Sequence, residues 1–150
     1  MDEYCDIIDD YIDAKSPYFL YRENINLAMS FLGLAISEGS KVNEIRECID
    51  ILDTLTQHLY DKSIVLKDSI RKSLNHEDES WLDITEKMAN GNKTTAFMFA
   101  AAAHLRLAVN YLLLMEDDGK FKDFIDDYIK NYMLKLVLRI KSIGISEVLT

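Results

Sequence analysis

The sequence predicts an all-α protein: a helical bundle built around one central hydrophobic helix, about residues 93–115, surrounded by amphipathic helices. Three observations predict it. Apolar residues recur at helical spacing along nearly the whole chain. Only 5 glycines and 1 proline occur in 150 residues, too few for the turns of a many-stranded β protein. From Thr94 to Met115 only His104, Arg106 and Asn110 interrupt an apolar run, and a helix apolar on every side is either buried or in a membrane. Its charge-free runs are about half the roughly 20 residues of a span, so burial is expected.

The elements follow in order. Ile7, Ile8, Tyr11 and Ile12 form a short first stripe, read as helical and ended by Ser16-Pro17. Ile25, Leu27, Ala28, Phe31, Leu32, Ala35 and Ile36 form a second, closed by Gly39. Val42, Ile45, Ile49, Leu52, Leu55 and Leu59 make a third. Ile64, Val65, Leu66, Ile70 and Leu74 make a shorter fourth, and the polar turn "NHEDES" separates it from a fifth at Trp81, Ile84 and Met88. The long sixth helix ends at "EDDGK". Phe121, Phe124, Ile125, Tyr128, Ile129, Tyr132, Met133 and Leu136 then open a last helix, to about residue 141. One domain over 1–150 is expected, with no C-terminal membrane anchor.

Charge and motifs exclude several functions. A net charge of −9 repels nucleic acid and anionic lipid. The start "MDEYCDIIDD" is acidic where a leader peptide is basic. Cys5 and Cys48 have no metal-ligand spacing and are expected as reduced thiols. "NGNKTT" at 90–95 imitates a phosphate loop, but it lacks the earlier glycine and the preceding strand. Asn92-Lys93-Thr94 fits the glycosylation pattern, yet capping explains it better: Asn90 or Asn92 caps a helix and Gly91 allows the turn. His58, His76 and His104 lie on separate elements. No carboxylate pair stands out as an acid and base, so no enzyme, metal or cofactor is expected.

The stretch "NGNKTTAFMFAAA" resembles the first homology motif of the Bcl-2 family of apoptosis regulators. Asn90 stands for the motif Asn, Lys93 for its Arg, Ala96-Phe97 for its Ala-Phe, and Ala101-Ala102 for its small pair. "DIIDDYIDAKSPY" is similar to the fourth motif through Ile7, Ile8, Tyr11, Ile12, Lys15 and Ser16. The Trp and Gly of the first motif are Gly91 and Asn92 here, the second motif is unrecognisable in "LVLRIKSIG", and no death motif is found. Such divergence looks like a virus-encoded, survival-type member.

The resemblance implies an inhibitor of apoptosis. It would hold the Bcl-2 homology 3 helix of pro-death family proteins in a surface groove, with Lys93 pairing the partner's aspartate. The implied groove residues are Lys93, Asn90, Leu52, Leu55, Leu59, Ile64, Ile70, Trp81, Ile84, Met88, Phe97 and Met98. A cytoplasmic protein of the host cell is implied, reaching mitochondria only through partners. The alternative is a dimeric adaptor of the same fold that inhibits inflammatory, NF-kappa-B-type signalling without binding death helices. Its homodimer would use the dense apolar tail Leu134, Leu136, Val137, Leu138, Ile140 and Ile143.

Overall fold

The structure, a computed structural model, describes residues 1–79 and 83–149, with side chains through Ser146. Two short strands, β1 (Asp2–Cys5) and β2 (Asp10–Asp13), precede α1 (Pro17–Ser37), α2 (Val42–Tyr60), α3 (Asp68–Asn75), α4 (Thr85–Ala89), α5 (Lys93–Glu116) and α6 (Asp127–Leu149). The bulk of the chain is helical, as expected.

The first stripe is not a helix. Residues 2–13 form an antiparallel hairpin in which Tyr4 faces Tyr11 and Glu3 faces Ile12. The two tyrosine rings meet edge to face at 5.7 Å. Asp9 takes a left-handed backbone in the turn, φ 51°. A stripe this short gives little drive to helix nucleation, and Tyr and Ile favour a pleated strand. The helical spacing of Ile7, Ile8, Tyr11 and Ile12 was compatible with either period. The helix expected from the fourth-motif likeness is therefore absent.

Ser16-Pro17 starts a helix rather than ending one. Ser16 accepts a bond from the Tyr18 amide, and Pro17 occupies the first turn of α1, where its missing N–H costs nothing. Gly39, φ 83°, follows the end of α1. The boundaries of α2 and α5 match the expected ones closely. α3 begins four residues later than its stripe, and α4 is a little over one turn. Phe121 and Phe124 lie in the turn before α6, with Phe121 fully buried 6.0 Å from the Tyr18 ring.

Four long helices form a closed ring. α1 packs on α2 and α5, while α6 packs on both α2 and α5. Residue pairs fix the directions. Asn24 meets His104 and Phe31 meets Phe97, so α1 and α5 are antiparallel. Thr95 meets Gly144 and Lys130 meets Glu116, which sets α6 antiparallel to α5. His58 meets Asp126 and Glu47 meets Arg139, which does the same for α2 and α6. α2 and α5 thus run the same way on opposite corners, and the 61–92 segment is the crossover that makes this possible.

The expected surrounding of α5 is corrected by this arrangement. α5 is one corner of a four-helix bundle. Met98, Ala101, Ala102, Leu105, Ala108, Val109, Leu112 and Met115 are buried, but Leu107, Leu113 and Leu114 are each 42–55% exposed. By length and composition α5 is the helix, among the described residues, that could cross a membrane.

Candidate functional site

A cleft runs along α2, between its polar face and the chain entering α3. Asn43, Arg46, Glu47, Asp50 and Thr54 share one face of the helix and form one wall. Val65, Leu66, Lys67 and Ile70 form the other, Ile51 contributes to the floor, and the cleft encloses about 420 Å³.

The second wall is fixed by polar anchors. His58, 3% exposed, sits at the end of α2. Its Nδ1 is 2.8 Å from the Ile64 carbonyl and its Nε2 is 2.7 Å from Asp126 Oδ2. Both ring nitrogens are thus engaged, one at the Ile64 carbonyl and the other at the Asp126 carboxylate. The Leu66 amide donates to the Tyr128 hydroxyl at 2.9 Å, and Lys62 donates to the Phe124 carbonyl. Burial pushes the Lys62 ammonium down and Asp126 acts against that. Burial also pushes the Asp126 carboxyl up, but the Ile129 amide, His58 and Lys62 outweigh it and hold the group below the ordinary aspartate value. With Leu66 sunk into the core, Val65 is left 53% exposed and Ile70 half-buried on the cleft side.

The far end of α3 is stapled to α6. Arg139 pairs with Glu77 and reaches Ser73 at 2.6 Å, while Ser142 donates to Glu77 at 3.1 Å. These groups are engaged with one another and close the bundle. The thiols are structural too. Both cysteines are free and buried, and burial pushes the Cys48 thiol up to about 12, far from a nucleophile's range. Among the described residues no three His, Cys, Asp or Glu side chains gather as a metal ligand set.

The groove residues expected from the sequence do not share one surface. Leu52, Leu55 and Met98 are fully buried and Leu59 is 1% exposed; they pack the bundle interior and offer nothing to a partner in this conformation. Their stripe was correct as a helix face, but it faces inward. Ile70 lines the α2 cleft and Ile64 lies just before it. Ile84, just before α4, and Met88, within it, are half-buried. Phe97 lies in the α1–α5 seam, 6.4 Å from Phe31. Asn90 and Lys93 are exposed at the entry to α5 and are not part of the cleft lining. Trp81 lies outside the described residues.

Asn92, not Asn90, caps α5, accepting the Thr95 amide at 2.9 Å, and Gly91 takes φ 77° before it. The cleft residues missed by sequence reading are the polar face of α2 and Lys67. Their spacing is that of any solvated helix face, so only the approach of the 64–70 segment singles them out. His104 is a satisfied histidine, 2.9 Å from Asn24 Oδ1 and stacked on Phe31 at 5.6 Å.

Comparison with known families matches residues 4–146 to one described as "Domain of unknown function (DUF1940)". No curated protein matches the chain.

Proposed function

The chain belongs to the DUF1940 family, and we propose that it is a helix-docking interaction protein and not an enzyme. The α2 cleft carries this reading. It combines an exposed apolar side chain, Val65, with the apolar Ile51, Leu66 and Ile70, and it sets Arg46 and Lys67 against Glu47 and Asp50 at its rim. An amphipathic helix needs these two things: pockets for side chains at i, i+3 or i+4, and a charge to fix register.

The first occupant to test is the Bcl-2 homology 3 helix that the sequence likeness implies, whose capture would inhibit apoptosis. The N-terminal hairpin and the corner position of α5 depart from the arrangement that likeness implies. The cleft chemistry therefore supports helix docking as a class more than the death helix in particular. A dimeric adaptor that blocks inflammatory signalling is the second reading, favoured by the exposed Leu107, Leu113 and Leu114 of α5.

Titrating a panel of pro-death helices, with other amphipathic helices as controls, into the protein tests the first reading. Micromolar binding that shifts the resonances of Val65 and Ile70 supports docking. If only the control helices bind there, the apoptotic role is lost. If no helix binds, docking itself is wrong.

A further inference from the structure

α5 is apolar on two sides, and the ring of four helices covers only one. Facing away from the core it carries a run without charge: Ala96, Ala100 and Ala103 in its first half, then Leu107 and Leu114. Arg106, the lone charge between Lys93 and Glu116, lines a separate recess with Leu134, Val137, Leu138 and Lys141 of α6. Beside this run α1 leaves Leu20, Leu27 and Leu34 exposed at 42–47%, seven residues apart. The two exposed stripes flank the seam that Asn24 and His104 close by their hydrogen bond.

The apolar tail expected to drive dimerisation does not provide such a face. Leu136, Val137, Ile140 and Ile143 are buried within the bundle, and Leu134 and Leu138 are half-buried. The unpartnered apolar surface is on α1 and α5 instead.

We propose that this face binds a second copy of the chain, with the two α5 helices antiparallel across a two-fold axis near residue 105. Side-chain size argues for a second copy in particular. The first half of the α5 run is a trough of alanines and the second half a ridge of leucines. Reversing one copy on the other puts Leu107 over Ala103 and Leu114 over Ala96, and each contact then occurs twice, as an isologous interface requires. Asn110 falls opposite Ala100, where a methyl group leaves room for its amide. Alanines at this spacing also let helices approach closely.

The area is sufficient. α5 has 24 residues, so the face is about 36 Å long at 1.5 Å per residue. Two helices side by side make it about 20 Å wide. The footprint is on the order of 700 Å², close to the roughly 800 Å² per partner of a stable complex. An uncovered apolar patch of that size is uncommon on a monomer. The dimer leaves the α2 cleft free and does not depend on what binds there.

Sedimentation of the full chain at micromolar concentration tests this. Twice the chain mass is expected, persisting in high salt because the face bears no charge. Leu107→Glu, at an exposed position, is expected to give a monomer of unchanged helicity, and Ala103→Leu, which fills the trough, to weaken the dimer at least tenfold. Mixing an Ala96→Cys chain with a Leu114→Cys chain is expected to give an intermolecular disulfide that neither forms alone. A wild-type monomer overturns the proposal, as does a dimer indifferent to Leu107→Glu. A monomer that binds phosphatidylcholine vesicles also overturns it and assigns the face to lipid. A dimer without the mixed disulfide overturns the register.

Discussion

His58 Nε2 and Asp126 Oδ2 lie 2.7 Å apart across 68 residues of sequence. The pair joins the end of α2 to the start of α6, and the other ring nitrogen of His58 holds the Ile64 carbonyl. One buried imidazole therefore fixes both the bundle and the outer wall of the cleft. His58→Leu leaves that carbonyl without its partner and the carboxylate without its buried donor. A loss of about 2–3 kcal/mol is expected, measured by chemical denaturation, together with weaker binding of any helix that docks in the cleft.

The same pair makes stability depend on acid. The Asp126 carboxyl is held below its ordinary value. A group with a depressed folded value stabilises the fold above its unfolded value, about 3.9 for aspartate, and that contribution is lost as pH falls through the folded value. Thermal melts of wild type and Asp126→Asn between pH 6 and acid should therefore converge as pH drops below that range. Parallel curves would remove Asp126 from the acid response.

Thr95 and Gly144 set how closely α5 approaches α6. Thr95 Oγ1 donates to the Gly144 carbonyl at 2.9 Å in a buried setting. A Cβ at Gly144 would lie 3.1 Å from Met98 Cβ and 3.2 Å from the Phe99 ring. Alanine gains about 1 kcal/mol of helix propensity, but Met98 Cβ is tied to its backbone and cannot give way alone. Gly144→Leu adds overpacking of about 1–3 kcal/mol. A lower melting temperature is expected for Gly144→Leu, with Gly144→Ala closer to wild type.

The entry to α5 offers a separate check. Asn92 caps the helix through the Thr95 amide, so Asn92→Ala should cost about 1 kcal/mol in denaturation experiments. Asn90→Ala, at an exposed position without that bond, should cost much less.

Two charge reversals separate the cleft from the groove implied by the sequence likeness. Arg46→Glu alters the cleft rim, whereas Lys93→Glu alters the exposed first turn of α5. In peptide titrations Arg46→Glu should change affinity by about 1–3 kcal/mol where a charge pair is partly desolvated, and Lys93→Glu should change it little. The opposite result would return the site to α5.

Much of the fold was legible because its signals are local. Gly39 and Asn92 mark helix ends by backbone and capping chemistry, and the stripes of α2 and α5 repeat for five or more turns. The hairpin was not legible, because Ile7, Ile8, Tyr11 and Ile12 are too few to separate one period from the other. The cleft was not legible either. Its walls come from α2 and from a segment held in place by His58 and Tyr128, and no spacing in the sequence announces that meeting.

By itself the sequence determined that the chain is helical, where its longest helices run, and that α5 carries no charge on most of its surface. Only the tertiary structure decided what that apolar surface faces. Periodicity shows how many sides of a helix avoid water, but the neighbours that cover them are set by packing between distant segments. Here α1 and α6 cover the inner side of α5, and the outer side, with its alanines and leucines, is left uncovered.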